Sequence, residues 1–432
     1  MIRALLWFLS IISFVLLLSC GATSSNSDDL AIDDTTDITE TDDSNTVPSS
    51  DACPAVLFDS LPVDTLVSIV PLGNSNPRGG HTFPTPHNYI YFDEQGNTDL
   101  AVHHVKAPGD ITLTSIETMT YTHKTSGVES ADYSINFKSQ LCSFVTGYYK
   151  HVKGLESSLE DLLETISKSC NAYDAGDQNV ERCNYSLSHE VSSGESIGTV
   201  GGVDQEQANF DFGVADKRIR LDFLDQNYYW SDFYYMSCAW DYYSADFKAT
   251  HDISAKFGIK EQGLEFVSRQ GDPVCGVFMQ DVAGTAKGNW LLPTQTSFEK
   301  EDYHIALIES NYDAGKSMFS IGSDSALMAN NKAYRSEFSP NTDETSVIGQ
   351  DFDKVVSGNV YCYSSFDEQP YKISSDSENS SDGNEQHIRI LLYLEDDTTL
   401  KIYVDDIQTS CDSIPTIEQF KGLSPVSFVR DV

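Results

Sequence analysis

Basic residues are scarce in this chain. Its 432 residues include 27 Lys and Arg against 66 Asp and Glu, which gives a formal net charge of −39. Contact with a phosphate backbone needs a field of Lys and Arg, so the charge argues against a nucleic-acid-binding protein. Apolar residues are not scarce, because 40% hydrophobic and 11% aromatic residues are enough for packed cores. At about 100–200 residues per domain, we expect two folded domains.

Several motifs that carry chemistry are missing from the sequence. It contains no Gly-x-x-x-x-Gly-Lys phosphate loop and no His-Glu-x-x-His zinc helix. It also contains no Cys-x-x-Cys pair, which leaves thioredoxin-like redox sites and zinc ribbons without support. The sequence therefore lacks the usual signature of each of these enzyme and cofactor classes.

Long apolar runs are also missing, except at the N-terminus. Arg3 is followed by the apolar run Ala4–Leu18 and then by Ser19 and Cys20. This pattern is typical of a secretory signal, and the run is shorter than the roughly 20 apolar residues that span a bilayer. The Leu-x-Ser-Cys ending resembles the lipobox of bacterial lipoproteins. That resemblance implies a signal peptide over 1–19 and acylation of Cys20, whereas the alternative is a soluble secreted protein.

The resemblance to lipoproteins also implies a location. We expect an exported protein, lipid-anchored to a bacterial membrane and facing the periplasm or the cell exterior, at the outer membrane if the cell has one. Residues 20–52 are mostly Ser, Thr, Asp and Asn with nine carboxylates and no Lys or Arg, which predicts a disordered acidic tether. Residues 52–432 still carry a net charge of −31, so the folded part should be repelled by anionic lipid.

The cysteine count fits an oxidising compartment. Nine cysteines less the lipidated Cys20 leave eight, an even number that suits up to four disulfides. Eight cysteines allow 105 pairings, and the sequence alone does not choose among them. The one pair that we predict is Cys170 with Cys183, as a staple across a polar loop. The pool of disulfide candidates is Cys53, Cys142, Cys170, Cys183, Cys238, Cys275, Cys362 and Cys411.

The alternation of apolar and polar residues predicts a mainly β protein with one or two short helices. Residues 53–222 form a first domain of short strands, interrupted by a helix over Ser157–Ser167. Residues 223–260 form an aromatic-rich connector, and Ser244–Phe257 has the pattern of an amphipathic helix. The aromatic segment Tyr228–Tyr243 indicates packing first and ligand stacking second.

Residues 261–432 form the second domain, which we expect to be an antiparallel β sandwich or barrel. Val274–Gln280 has the composition of a strand. Asn311 to Gly315 has the residues of a turn between the strands Tyr303–Glu309 and Ser317–Ile321. Glu395 to Asp397 is short enough to join the last predicted strands, Ile388–Leu394 and Leu400–Val404, as a hairpin.

Five pieces of the first domain follow one another in a recognisable order. The first and third are His81-Thr-Phe-Pro-Thr-Pro-His87-Asn-Tyr-Ile-Tyr91 and Tyr148-Tyr-Lys-His151-Val, with Val105-Lys-Ala-Pro-Gly109-Asp-Ile-Thr between them. The last two are Val191-Ser-Ser-Gly194-Glu-Ser-Ile-Gly198-Thr-Val-Gly-Gly202 and Asn209-Phe-Asp-Phe-Gly-Val214. Together, from Val67 to Val214, they resemble the lysostaphin-type or LytM-like zinc endopeptidases of peptidoglycan, also called the duplicated hybrid motif. We expect the Val191–Gly202 piece to be a hairpin.

The resemblance implies roles for five positions. His87 stands at the first zinc ligand and His151 at the first catalytic histidine of the family. Tyr91 stands where an Asp ligand belongs, Asn209 where the second catalytic His belongs, and Asp211 where the last His ligand belongs. A phenol with a pKa of about 10 is a poor zinc ligand at neutral pH, and an amide does not shuttle protons. We therefore expect a retained scaffold with a disabled peptidase site and no cofactor.

Three functions stay open at this point. The first is a non-catalytic lipoprotein that binds peptidoglycan or an envelope protein, as zinc-free LytM-like activators of amidases do. The second is a divergent zinc metallopeptidase with His81, His87 and Asp211 as ligands and His151 as general base. The third is a carbohydrate-binding module that uses Tyr228–Tyr243. The pair His103-His104 offers no metal site, because adjacent strand residues point to opposite faces.

Overall fold

The computed structural model describes residues 53–431 except 98, 176, 203–206, 296–299, 329–331, 365, 367–387 and 406. The predicted signal peptide, Cys20 and the tether 20–52 lie outside the described residues. No helix of the described part is long and apolar enough to cross a membrane. Strands dominate, which confirms the mainly β fold class with few short helices.

The chain forms the following strands and helices. The strands up to residue 216 are β1 (Ser68–Val70), β2 (Asn88–Tyr91), β3 (His103–Lys106), β4 (Ile111–His123), β5 (Glu129–Ser139), β6 (Val145–Val152), β7 (Gly154–Leu155), β8 (Lys168–Ala175), β9 (Gln178–Val191), β10 (Ser196–Val200) and β11 (Asn209–Asp216). The later strands are β12 (Met236–Ser237), β13 (Gly258–Ile259), β14 (Val267–Ser268), β15 (Gly288–Trp290), β16 (Ile305–Glu309), β17 (Ser317–Ile321), β18 (Tyr334–Phe338), β19 (Tyr361–Tyr363), β20 (Arg389–Asp396), β21 (Thr399–Asp405) and β22 (Val426–Val429). The α-helices are α1 (Ser157–Thr165), α2 (Ala245–Thr250) and α3 (Ile417–Lys421).

The largest sheet has nine strands. Its order is β1-β2-β11-β6-β5-β4-β9-β8, with β12 paired to β11, and the pairings between these strands are antiparallel. β4 shows why the sequence forms it, because Ile111, Leu113 and Ile116 are fully buried while Thr- and Tyr-rich positions beyond them are half-exposed. The central strands β2, β11 and β6 lie side by side, and they carry the histidines and carboxylates singled out above.

A separate three-stranded sheet has the order β3-β10-β7. The expected hairpin over Val191–Gly202 is wrong. β9 pairs with β4, whereas β10 pairs with β3 and β7, so the two strands do not pair with each other. Gly194 turns the chain between the two sheets at φ +75°, a backbone angle that glycine adopts at little cost.

The predicted helices are present with one change of length. α1 matches the expectation and buries Leu159 and Leu163. α2 begins after Ser244, whose hydroxyl accepts the N–H of Phe247 as an N-cap. The helix predicted to reach Phe257 ends early because Asp252 takes φ +50°, and only a 3₁₀ turn over Ile253–Lys256 follows.

All eight cysteines of the pool form disulfides. The pairs are Cys53–Cys142, Cys170–Cys183, Cys238–Cys275 and Cys362–Cys411. The Cys170–Cys183 prediction is confirmed, but the segment around it is the paired strands β8 and β9 rather than a polar loop. Four disulfides indicate folding in an oxidising, exported location.

The last third of the chain is a sandwich of two four-stranded antiparallel sheets. The sheet orders are β15-β16-β17-β18 and β19-β20-β21-β22. Two predicted connections are confirmed, since β16 and β17 pair across the turn at Asn311 to Gly315, and β20 and β21 form the last hairpin. Val274–Gln280 is not a strand, because Gly276 takes φ +85° against the Leu72 backbone.

The sheet β15–β18 separates two cores. Ile305, Leu307 and Phe319 face the core of the sandwich, whereas Ile308 and Met318, on the opposite face, belong to the core of the nine-stranded sheet. Both faces of this sheet are therefore buried. The boundaries 53–222, 223–260 and 261–432 stay predictions, and the first core continues past residue 261.

The aromatic segment fills the first core. Tyr229, Phe233, Trp240 and Tyr243 are between 1% and 7% exposed. Of the two tryptophans in this segment, only Trp230 is open to solvent, at 47%. Packing therefore accounts for the segment, and the row of exposed rings on which a carbohydrate-binding module relies is not present among these residues.

Candidate functional site

Three adjacent strands bring the predicted site residues together. His87 lies directly before β2, Asp211 lies in β11, and His151 lies near the end of β6. Asp211 pairs with Tyr89 on one side and with Lys150 on the other. The register of the two pairings thus sets His87 and His151 on either side of Asp211.

Both histidine rings turn the same nitrogen toward one carboxylate oxygen. Asp211 Oδ2 lies 3.3 Å from Nε2 of His87 and 3.7 Å from Nε2 of His151. The Nδ1 atoms have different partners: the Tyr148 hydroxyl at 3.0 Å from His87, and Asp132 Oδ2 at 2.9 Å from His151. The result is a chain of five groups, Asp132–His151–Asp211–His87–Tyr148, which we call the His–Asp chain.

A β-bulge aims His151 into this chain of groups. The pairing of β5 with β6 shifts register between Tyr133 and Ile135, so that an extra residue of β6 is accommodated there. His151 takes φ +63°, a left-handed conformation that costs free energy for a residue with a side chain. Bulges redirect side chains next to functional sites. Here the bulge turns the ring of His151 toward Asp132 and Asp211.

Burial and charge set the protonation of the site. His87 is buried, and burial, together with the nearby His81 and Lys150, holds its pKa well below the usual histidine value. Burial also raises the pKa of the Asp211 carboxyl. For His151, burial lowers the pKa, but Asp211 and Asp132 together outweigh it and the net shift is upward. Of the two histidines, His151 is thus the one whose protonated form the site favours, and 36% of its side chain reaches solvent.

The two positions that differ most from the zinc peptidases form a neutral pair. Tyr91 and Asn209 are register partners in β2 and β11, and Asn209 lies close enough to the Tyr91 phenol to influence its pKa. The Tyr91 hydroxyl also donates to Gln95 at 3.1 Å. Burial raises the pKa of Tyr91, so its phenol stays neutral. At neutral pH, neither side chain supplies one of the usual zinc ligands or a group that shuttles protons.

The third predicted metal ligand stands apart from the other two. His81 touches His87 only through an edge-to-face ring contact with centroids 6.5 Å apart. Within the described ranges, no three His, Cys, Asp or Glu side chains are grouped so that they could hold a metal ion. His81, His87 and Asp211 therefore do not fit a zinc ion as they lie. A metal site with these ligands stays a prediction.

His103 and His104 have separate surroundings, as strand geometry requires. The His103 ring packs on Phe92 at 5.4 Å. His104 bonds through Nδ1 to Glu156 and Ser196, each at 3.1 Å.

The C-terminal sandwich holds the loop that carries His81 and His87. The carboxylate of Glu301 accepts the N–H of Phe83 at 2.7 Å, and the Phe83 ring stacks on His304. Ser320 of β17 donates to the Thr82 carbonyl at 2.6 Å. The loop is thus fixed from outside the nine-stranded sheet.

Sequence reasoning missed three residues of the site. Tyr148 and Lys150 stand in the same short motif as His151, and their spacing in a strand is the signal that could have found them. Lys150 is exposed and lies 5.3 Å from the centroid of the Tyr148 ring. Asp132 comes from β5 and has no motif around it. Only the fold places it beside His151.

Comparison with known proteins adds no assignment. No family model, no curated protein and no solved structure matches the chain. The LytM-like resemblance therefore rests on the motifs of the sequence.

We expect Asp132→Asn to lower the pKa of His151. The substitution removes a carboxylate 2.9 Å from Nδ1 and so weakens the protonated form. Imidazole resonances followed by NMR through the neutral pH range measure the change, and Asp174→Asn, on the distant β8, is the control. The stability that this ion pair adds is complete below about pH 6.5, the unfolded value, and is lost as the pH rises through the raised pKa of His151. An unchanged pKa in Asp132→Asn would contradict the role of Asp132 in favouring the protonated form of His151.

Proposed function

We propose that this chain is an exported envelope lipoprotein whose LytM-like domain binds cell-wall peptides or an envelope protein without hydrolysing them. Acylation of Cys20 anchors it to the membrane, and the tether 20–52 separates the folded part from the lipid. The neutral Tyr91–Asn209 pair is the observation that carries the proposal. It stands where the family resemblance puts a ligand and a catalytic base, and it removes both.

The site keeps features that suit recognition. His151 is one-third exposed and Lys150 lies beside it on the surface, in a chain whose net charge is strongly negative. Two groups that can carry positive charge, His151 and Lys150, therefore lie where the His–Asp chain reaches the surface. The stem peptides of peptidoglycan carry free carboxylates, which such groups attract.

Binding to intact peptidoglycan sacculi tests the first branch. The full chain should sediment with sacculi above the level of an unrelated acidic protein. His151→Asn should reduce the bound fraction about tenfold, because an asparagine tolerates the left-handed backbone but loses the charge. His189→Asn, the same substitution on β9, is the matched control and should bind as the parent does. Absence of sedimentation of the parent chain removes peptidoglycan as the ligand, and equal binding by His151→Asn removes the site.

Metal analysis tests the catalytic alternative. A non-catalytic scaffold should contain only trace zinc per chain after purification with added zinc. One tightly held zinc per chain, lost in His87→Ala, would overturn the non-catalytic proposal in favour of a divergent metallopeptidase.

A further inference from the structure

The two edges of the nine-stranded sheet are protected differently. At one edge, all three residues of β1 are buried and Ile69 forms a bridge with Phe257. At the other edge, β8 pairs only with β9, and nothing in the described part of the chain covers its outer side. The residues at 168–172 are exposed. An open edge of this kind is a template for pairing with another strand.

β8 lacks the bulge and the proline that often block such pairing. It pairs with β9 over eight consecutive residues without a register shift, so it has no bulge. It contains neither proline nor glycine. The disulfide between Cys170 and Cys183 ties it to β9 and prevents it from peeling away. The edge is therefore long, regular and fixed, unlike the edges that proteins protect from association.

The backbone polarity of this edge follows from one distance. The Cα atoms of Cys170 and Cys183 are 4.1 Å apart, which is the spacing of a pair that exchanges no hydrogen bonds. In such a pair, the N–H and C=O of each residue point away from the partner strand. The outward groups of β8 therefore belong to Lys168, Cys170, Ala172 and Asp174.

One register satisfies these groups and pairs opposite charges. In a twofold antiparallel arrangement centred on Asn171, Lys168 lies opposite Asp174 of a second copy, and Cys170 lies opposite its Ala172. Both pairs join residues with outward N–H and C=O groups, so the ladder is complete. Because of the twofold symmetry, the same pair forms a second time, between Asp174 of the first copy and Lys168 of the second. Neighbouring registers that keep the backbone ladder lose this pairing of charges.

The local charge permits this contact although the whole chain is strongly acidic. Residues 168–183 contain two basic and three acidic residues, which is close to balance. Asp174 bonds to Lys124 of its own chain at 3.2 Å, but 73% of its side chain stays exposed and free to accept a second cation. Lys168 lies above the ring of Tyr185, the residue opposite it in β9, on the same side of the sheet.

We propose that β8 is a homodimerisation edge, at which two copies of this chain join their nine-stranded sheets in the register centred on Asn171. The proposal does not depend on the ligand of the His–Asp chain. The contact is one strand wide, so we expect a weak dimer that forms at high concentration or on a crowded surface.

Charge reversal tests the partner and the register together. Sedimentation equilibrium of the full chain in density-matched detergent should show a monomer–dimer equilibrium. Lys168→Glu and Asp174→Lys should each weaken it about tenfold, and the double variant should restore it, because the swap keeps opposite charges across the axis. A chain that stays monomeric up to about 0.5 mM, well above the micromolar range of weak specific pairs, would overturn the proposal. So would a dimer that the double variant does not rescue.

A cysteine at the axis tests the geometry directly. Asn171 faces its own copy at a non-hydrogen-bonded position, where Cα atoms lie about 4.5 Å apart, within disulfide range. Mild oxidation of Asn171→Cys should give a covalent dimer linked through residue 171. Ser169→Cys is the matched control, because its opposite residue is Tyr173 of the second copy, and it should stay monomeric. Equal cross-linking of both variants would contradict this register, and peptide mapping confirms that Cys170–Cys183 is intact.

Discussion

Phe319→Ala should lower the free energy of unfolding by about 3–5 kcal/mol. Phe319 is fully buried in β17, and its ring contacts those of Phe338, Phe352 and Tyr363 with centroids 4.8–5.8 Å apart. Removal of the ring leaves a cavity among side chains that are themselves rigid, so relaxation recovers little of the loss. Urea unfolding followed by circular dichroism measures the effect. Ile407→Ala, at a position that is 93% exposed, is the control and should change stability by less than about 0.5 kcal/mol.

The same variant tests how the two cores are joined. Met318, the neighbour of Phe319 in β17, belongs to the core of the nine-stranded sheet. We therefore expect the NMR signals of His151 to disappear at the same lowered urea concentration as the signals of the sandwich. Two separate transitions, with the His151 signals unaffected by Phe319→Ala, would instead show that the chain divides into independent domains near residue 261.

Removal of the Cys53–Cys142 disulfide should cost about 4.5 kcal/mol. This bond closes a loop with a sequence separation of 89 residues and ties the start of the described chain to the segment before β6. Loop-closure entropy rises with the logarithm of loop length, so the longest loop should contribute most. The double substitution Cys53→Ala with Cys142→Ala removes the bond, and urea unfolding without reductant measures the change.

The matched control is Cys170→Ala with Cys183→Ala, whose loop has a separation of only 13 residues. The loop-length relation gives it about 3 kcal/mol, which is roughly 1.5 kcal/mol less than the long loop. A larger loss in the short-loop variant than in the long-loop variant would contradict an entropic origin. It would indicate that the contacts of β8 and β9 dominate instead.

The elements that the sequence predicted well depend on local signals. α1 has apolar residues at helical spacing, and the β16–β17 turn has Asp313 and Gly315 at the required positions. Hairpin and helix signals of this kind lie within a few residues of one another. The alternation of apolar and polar residues is also a local signal. It was informative for the strands that have one face in the core and the other in water.

β8 and β9 escaped prediction because their residues are mostly polar. Most side chains of β8 are exposed, so no apolar face marked it as a strand. Its stability comes from pairing with β9 and from the disulfide, and neither leaves a periodic pattern. The position of the sheet β15–β18 between two cores escaped prediction for a different reason. Ile305 to Ile308 is apolar without interruption, which indicates burial on both faces, but the sequence does not say what covers each face.

The candidate site was likewise predictable only in part. Motif order brought His87, His151 and Asp211 to attention, and the register of β2, β11 and β6 sets them together. Asp132 could not be predicted, because a single Asp in a strand has no distinguishing neighbour. The β-bulge at His151 could not be predicted either, since it arises from the way β5 and β6 fit around the ring of His151 and its partners.

The sheet that separates the two cores also governs the order in which an exported chain can fold. Leu291, Ala306, Ile308 and Met318 complete the first core, yet a chain that crosses the membrane N-terminus first delivers them after all of β1 to β14. A chain that has emerged as far as about residue 260 therefore holds all nine strands of the largest sheet with one side of its core still open to water. Folding of the site must wait for the last third of the polypeptide, and the emerging chain needs protection from aggregation until then.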